Sequence, residues 1–307
     1  SSFSFVFLAF SVSAAVDLLR VHLPTVLCLR VPNGQLRLYV YLCVALMFDE
    51  SSYGRSISLG ILQVRPLNRL SMHFEQLNQS GWAQTYLLVD TESKKAALID
   101  PVYDFMDEYL NVLEERDLNL DFAVATHTHA DHITACYSLR ELTGCEYAMW
   151  KDTACLGVSH YLNEDEQLMI GSLSVKVHHV PGHTNDHILL ETPTHLLTGD
   201  FLFTGEGGAG RDDLPSGRVD EHWRSLQKLD SLHGNLIVCT GHEPPGTEMK
   251  SLDWNREHNP VLQMSSYEEY HAWQAKVTAG LGSVSKIKTA LPANIFAEIP
   301  DHIPWMN

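Results

Sequence analysis

The sequence lacks the features that mark several classes of protein. None of its six cysteines forms a CxxC pair, so the spacing of a zinc ribbon or a thioredoxin-type motif is missing. In a chain of 307 residues, this pattern favours reduced thiols in a reducing compartment over a disulfide framework. Basic residues are few, 21 against 38 acids, and a net charge of -17 argues against nucleic acid or an anionic membrane surface as a partner.

Long apolar runs are missing as well. No run reaches the roughly 20 residues that a transmembrane helix needs, so we expect no membrane span. The apolar run at residues 3–16 has the length of a signal peptide, but no basic segment precedes it. Internal repeats and low-complexity tracts are also absent. The sequence therefore predicts a globular protein.

The composition changes near residue 71. Residues 1–71 carry a net charge of +3 and only one histidine, whereas the remainder carries -20 and 16 histidines. We therefore divide the chain into an extension, residues 1–71, and a catalytic domain, residues 72–307. The extension has three open explanations: mistranslated upstream sequence, a mitochondrial or plastid transit segment, or genuine extra structure. We expect a cytoplasmic protein unless the transit interpretation holds.

Short apolar runs alternate with helical patterns after residue 72. Two runs separated by the polar "TESK", at 85–90 and 95–100, predict a β-hairpin. Further strands are predicted at 121–126, 173–180, 187–192, 195–200 and 235–241, and helices at 104–117, 133–144 and 220–232. This alternation predicts sheets covered by helices, an α/β or α+β layered domain.

Potential metal ligands crowd into "HTHADH", residues 127–132, and recur where later strands end. The candidates are His127, His129, Asp131, His132, His183, Asp200 and His242. Imidazole and carboxylate ligands suit borderline metals, and strand ends that converge on one cleft are a typical place for catalytic groups. Ordinary packing does not explain three neighbouring histidines, because they would repel one another if protonated together. The pattern predicts a site for one metal ion, or for two ions bridged by Asp200.

This order of ligands resembles the metallo-β-lactamase fold superfamily. The finer resemblance is to its persulfide dioxygenases, which are close to the glyoxalase II hydrolases. It rests on "THTHADHITA", "PGHT" (181–184), "TGDFLFTGEGGAGRDD" (198–213), "REHNPVL" (256–262), "LPAN" (291–294) and the opening "FEQLNQSGWAQTYLLVD". The resemblance covers nearly all of residues 72–307 and implies an αββα sandwich of two mixed β-sheets.

Two divisions of the ligands follow from the resemblance. In the dioxygenases, one Fe(II) would bind His127, His183 and Asp200, and the enzyme would oxidise glutathione persulfide with O2 to sulfite and glutathione. In the hydrolases, His127, His129 and His183 would hold one Zn(II), and Asp131, His132 and His242 a second, for hydrolysis of a glutathione thioester. A non-catalytic metal-binding scaffold is a remote third class. A homodimer is compatible with each of them.

Asp131, which is also a candidate ligand, and Arg211 are the candidate catalytic residues, although Arg211 also suits a salt bridge to Asp213. Asp100, at the end of an early strand, is expected to orient a ligand histidine. The sequence departs from the family at "DDL" after Arg211, at "EPPG" after His242, where a tyrosine is usual, and at His187. These departures concern the thiol pocket and leave the metal ligands intact.

For four other residues, the sequence favours a structural role over a functional one. His178 and His179 are adjacent on one strand, so one faces the core and one faces outward. Cys136 fits a buried small hydrophobe, and Trp223 has the helical spacing of a core residue.

Overall fold

The computed structural model describes residues 26–30, 36–40, 71–78 and 83–306. The chain divides into two compact units, Ser1–Leu70 and Ser71–Asn307. In the first unit, β1 (Val26–Arg30) and β2 (Leu36–Val40) pair antiparallel, with Val26 opposite Val40. The apolar run at 3–16, on which the transit interpretation partly depends, lies outside the described residues.

The second unit contains two mixed β-sheets. The first sheet has the order β3-β4-β5-β6-β7-β8 and contains β3 (Met72–Gln76), β4 (Tyr86–Asp90), β5 (Lys95–Ile99), β6 (Asn119–Val124), β7 (Glu146–Trp150) and β8 (His160–Leu162). The second has the order β13-β12-β11-β10-β9 and contains β9 (Gln167–Ile170), β10 (Leu173–His179), β11 (Ile188–Glu191), β12 (His195–Gly199) and β13 (Ile237–Thr240). Strands β5 to β8 run parallel, as do β12 and β13, and the other pairs are antiparallel.

Helices cover the outer face of each sheet. In chain order they are α1 (Met106–Glu115), α2 (Cys136–Thr143), α3 (Val219–Leu226), α4 (Leu252–His258), α5 (Pro260–Gln263), α6 (Tyr267–Gly280) and α7 (Ile287–Phe296). Helices α1 and α2 pack on the first sheet, and α3, α4 and α6 contribute to the core on the second. None of the helices in the described part of the chain has the length and apolar composition that a membrane crossing requires.

Side chains alternate between the two faces of each strand, and this separates the core between the sheets from the core under the helices. On β4, Leu88 belongs to the core between the two sheets together with Val175 of β10, while Leu87 and Val89 belong to the core that includes residues of α1 and α2. This is the period of two that a strand buried on both faces must show. The αββα sandwich predicted from the resemblance is confirmed.

Most predicted elements are present with shifted ends. The hairpin is confirmed by the antiparallel pairing of β4 and β5, and the helix predicted at 133–144 ends as expected, with Gly144 in the left-handed conformation. The prediction that this helix starts at 133 is wrong, because Thr134 forms a β-bridge with Val102 instead. The region 220–232 is an α-helix only to Leu226, and a 3-10 turn follows at Gln227–Ser231.

Candidate metal centre

Each predicted metal ligand follows the end of a strand. His127 comes three residues after β6, and His183 comes four residues after β10. Asp200 directly follows β12, and His242 lies two residues after β13. One ligand loop therefore leaves the first sheet and three leave the second. The structure brings all seven predicted ligands into one connected cluster at this edge of the sandwich.

Three of these ligands form a buried triad. The Nε2 atoms of His127 and His183 lie 4.0 Å and 3.7 Å from Oδ2 of Asp200. The opposite nitrogen of each imidazole is already engaged, because His127 Nδ1 lies 3.0 Å from Thr126 Oγ1 and His183 Nδ1 donates to the Arg211 carbonyl at 2.5 Å. Both Nε2 atoms are therefore left to act as ligands, as in metal sites where a hydrogen bond fixes the imidazole tautomer.

Three further residues form a second group beside the triad. His129 Nε2 lies 3.1 Å from Asp100 Oδ1, and His132 Nδ1 lies 3.1 Å from Asp131 Oδ2. The other nitrogens, His129 Nδ1 and His132 Nε2, are buried and have no hydrogen-bond partner. Because an unpaired buried polar atom is costly, such atoms call for a ligand or an ordered solvent molecule. A donor set of imidazoles and carboxylates fits a divalent transition metal.

His242 lies between two carboxylates and contacts both. Its Nδ1 is 2.7 Å from Asp200 Oδ1, and its Nε2 is 2.9 Å from Asp131 Oδ2. Burial opposes a charge on this imidazole, but the Asp200 carboxylate and the hydrogen bond to Asp131 raise the His242 pKa well above its usual value. Both ring nitrogens of His242 face carboxylates, which favours the imidazolium form in the metal-free protein and leaves Oδ2 of Asp200 facing the triad.

The cluster contains both neutral and charged side chains. Burial and the neighbouring imidazoles lower the pKa of His127 well below its usual range, and burial also lowers that of His183. Burial would raise the pKa of Asp200, but the His242 imidazole lowers it to about 2. The triad therefore consists of two neutral imidazoles and one ionised carboxylate at neutral pH, which is the protonation state that metal binding requires.

Asp100 orients the ligand segment, as the sequence predicted. Besides contacting His129, its carboxylate accepts hydrogen bonds from the Thr126 amide at 2.6 Å and the Thr126 hydroxyl at 2.7 Å. Thr126 in turn contacts His127, so one buried carboxylate supports a histidine of each group.

The side chain of Arg211 is engaged away from the triad. Its Nε and Nη2 form a bidentate ion pair with Asp213 at 2.6 Å and 2.7 Å, and its Nη1 donates to the Gly282 carbonyl. The contact of Arg211 with the metal centre is made by its backbone carbonyl, which accepts from His183. This residue fixes a ligand through its main chain, and its catalytic role stays a prediction.

The residues given structural roles lie apart from the triad. His178 pairs with Glu191 at 2.7 Å, and the ring of His179 stacks on Trp150 at 3.9 Å. Cys136 is completely buried against the first sheet, and Trp223 packs at the core beside Tyr270.

The sequence missed three buried residues that contact the ligand loops. Asn294, in the "LPAN" segment, donates to the carbonyls of His129 and His132 and accepts from the Thr134 amide, each at 2.9 Å. His187 stacks on His127 with ring centres 4.7 Å apart. Asp186 accepts hydrogen bonds from two ligand loops. Two of them gave a signal in the sequence: the motif "LPAN", which gave no role, and His187, whose departure from the family was assigned to the thiol pocket although its ring lies against His127.

Comparisons with known proteins agree with this geometry. The sequence pattern of the metallo-beta-lactamase superfamily matches residues 81–242. The mitochondrial persulfide dioxygenase ETHE1 of Bos taurus is 32% identical over 215 residues, 69% of this chain and 82% of the relative. The hydroxyacylglutathione hydrolase GloC of Haemophilus influenzae is 28% identical over 64% of this chain and its own full length. The crystal structure of ETHE1 from Myxococcus xanthus aligns with a TM-score of 0.69 at 32% identity, covering 74% of this chain and 99% of that chain.

Proposed function

This chain belongs to the metallo-beta-lactamase superfamily, and we propose that it is a persulfide dioxygenase with one iron ion per chain. The reaction consumes glutathione persulfide, O2 and water, and it yields glutathione and sulfite. The similarity to the persulfide dioxygenase of Bos taurus over 82% of that protein supports this activity. The observation that carries the choice of one ion is the engagement of Asp200 by His242.

A carboxylate that bridges two ions with one oxygen on each needs both oxygens, and His242 already occupies Oδ1 of Asp200. Its Oδ1 is held by His242 at 2.7 Å, so Oδ2 faces His127 and His183 alone. Two imidazoles and one carboxylate oxygen make the facial triad of non-haem Fe(II) oxygenases, a set that leaves coordination positions open. Bound Fe(II) would supply the redox chemistry and the adjacent positions for the persulfide sulfur and O2.

The residues of the chain keep this triad ready for the ion. Thr126 and the Arg211 carbonyl hold the Nδ1 atoms of His127 and His183, so both Nε2 atoms are left facing Asp200 Oδ2. Burial keeps both imidazoles neutral, and Asp200 stays ionised because the His242 imidazolium compensates its charge. We assign Asp131 the role of holding His242 in place, through its 2.9 Å contact.

A binuclear zinc thioester hydrolase is the alternative. The unpartnered nitrogens His129 Nδ1 and His132 Nε2 favour it, since both are buried and belong to the ligand set of a second ion. The similarity to the hydroxyacylglutathione hydrolase GloC also supports it. In that case His242 must leave Asp200 and Asp131 to become a ligand.

Metal analysis of protein purified without added metal distinguishes the two functions. We expect about one iron per chain, and O2 uptake with sulfite formation on glutathione persulfide. Two zinc ions per chain, with turnover of a glutathione thioester and no O2 uptake, would overturn the proposal.

Substitution of single ligands tests the nuclearity separately. His127→Ala, His183→Ala and Asp200→Ala should each abolish iron binding. His242→Ala should keep about one metal ion per chain, because its nitrogens hold carboxylates rather than the ion. An equal loss of metal in His242→Ala would support the binuclear site.

We further propose that the protein acts in mitochondria on a small-molecule thiol, with residues 1–71 as a transit segment. The relatives named persulfide dioxygenase are mitochondrial proteins, and residues 1–71 carry six arginines and only three acids. Fusion of residues 1–71 to a fluorescent protein should direct it to mitochondria. A protein that begins at Met72 should still fold and bind one metal ion, and insolubility of that protein would contradict the boundary.

A further inference from the structure

We propose that Asp186 is a positioning residue that joins two ligand loops of the metal centre, the loop of His127 and the loop of His183. This inference rests on the proposed function only in taking these two histidines as ligands of the same ion. Asp186 is 1% exposed and is not part of the ligand set. Its carboxylate is the meeting point of three segments that are distant in sequence.

Four hydrogen bonds converge on this carboxylate. Oδ1 accepts from the Thr128 amide at 3.2 Å and the Thr184 hydroxyl at 2.8 Å. Oδ2 accepts from the Thr128 hydroxyl at 2.5 Å and the Thr153 hydroxyl at 2.7 Å. All four contacts are donated to Asp186, and a carboxylate with two acceptor oxygens is the side chain of this size that can take them all.

The donors show what the carboxylate connects. Thr128 lies between His127 and His129, and Thr184 directly follows His183. Thr128 is 58 residues from Asp186 in sequence, so its two hydrogen bonds join the loop of the first sheet to a loop of the second. Thr153 follows β7 and lies next to no ligand, so it anchors the carboxylate without joining a ligand loop.

The neighbour of Asp186 strengthens the same connection. His187 is fully buried and stacks on His127 with an angle of 10° between the rings. The side chains of Asp186 and His187 therefore restrain the His127 loop twice, by hydrogen bonds from Thr128 to the carboxylate and by stacking of the His187 ring. Because a metal ion binds tightly only when its ligands are already in place, loosening this connection should weaken metal binding.

A purely structural role for Asp186 makes a different prediction. In that case, each hydroxyl that contacts the carboxylate would contribute to folding, and none would affect metal binding in particular. Thr128→Val and Thr153→Val provide the matched pair, since each removes one hydroxyl from the same oxygen of Asp186. Thr128→Ser keeps the hydroxyl and serves as the conservative variant.

The experiment measures Co(II) binding by the metal-free protein, through competition with a chelator and through the visible ligand-field spectrum. Asp186→Asn and Thr128→Val should weaken Co(II) binding about tenfold or more and shift the ligand-field bands. Thr153→Val should lower the thermal midpoint of the metal-free protein but keep Co(II) affinity within about twofold. Thr128→Ser should restore both affinity and spectrum.

Equal effects of Thr128→Val and Thr153→Val on Co(II) affinity would overturn the proposal, as would an unchanged affinity in Asp186→Asn. If Asp186→Asn does not fold, the comparison of Thr128→Val with Thr153→Val still tests the proposal. Because Co(II) binding does not depend on dioxygenase turnover, the binding result would remain valid even if the protein lacked the proposed activity.

Discussion

Replacement of Asn294 by alanine should release the ligand segment from the C-terminal helix α7. The Asn294 side chain is 4% exposed and makes three hydrogen bonds to the backbone of residues 129–134. Alanine makes none of them, and no other side chain of the described residues hydrogen-bonds to the same three backbone groups. The change therefore leaves the Thr134 amide and the carbonyls of His129 and His132 unpaired in a buried place.

The cost follows from those three groups. Each buried polar group left unsatisfied costs about 1–3 kcal/mol, and solvent that enters the vacated space recovers part of this. We expect Asn294→Ala to lower the free energy of unfolding by about 3–5 kcal/mol, a large part of the roughly 5–15 kcal/mol of a typical domain. Asn294→Asp should cost at least as much, because it sets a carboxylate oxygen against two carbonyls with no loss of volume.

Urea unfolding of the metal-free protein measures this cost, and chelator competition measures the accompanying loss of metal affinity. Asn163→Ala is the matched control, because Asn163 makes its hydrogen bonds in an exposed turn and its loss should change stability by less than about 0.5 kcal/mol. A loss below about 1 kcal/mol in Asn294→Ala, or a neutral Asn294→Asp, would refute the argument.

Three further predictions concern single groups. Burial raises the pKa of Asp212 to about 6 from its ordinary 3.8, so the folded state holds this proton more tightly and stability falls as the pH rises between these values. Asp212→Asn should therefore raise the thermal midpoint at pH 7 and have little effect at pH 4, and equal gains at both would contradict this. Burial raises the pKa of Cys136, Cys145, Cys155 and Cys239, so peptide mass spectrometry should find these four unalkylated at pH 7.5 until urea is added; labelling of them in the folded protein would be the contrary result. Gly199→Ala places a Cβ 2.4 Å from Thr126 Oγ1 and 3.0 Å from the His187 ring, and it should cost more than about 2 kcal/mol and reduce metal content. Gly246→Ala shares the positive φ but meets open space, so it should cost only about 1 kcal/mol with the metal content unchanged.

The ligand set is the part of the site that the sequence predicts best. "HTHADH" and three later strand ends were expected to meet, and they do, because residues that leave neighbouring strands at one edge are brought together by the sheet itself. The segment "HTHADH" predicted the site strongly, because ordinary side-chain packing does not require histidine and aspartate at this spacing. The contact of Asp100 with His129 was predictable for the same reason, because Asp100 directly follows β5, the neighbour of β6.

The connections between loops were not predictable. Asn294 lies 165 residues from His129, and the hydrogen bonds of Asp186 span up to 58 residues, so no local pattern reports them. The position of His242 between two carboxylates also depends on side-chain geometry, which ligand spacing does not contain. Strands β7, β8 and β9 were missed because they are only three to five residues long and carry no clear alternation of their own.

The contact between Asn294 and the ligand segment also sets an order of events during synthesis. A ribosome that has made residues 129–134 must add some 160 more residues before the side chain that fastens them exists. Every metal ligand has been translated by residue 242, so the nascent chain carries the complete ligand set well before the segment is held. If these residues bind a metal ion as proposed, we expect its capture in the final geometry to follow the docking of α7 rather than the folding of the sheets.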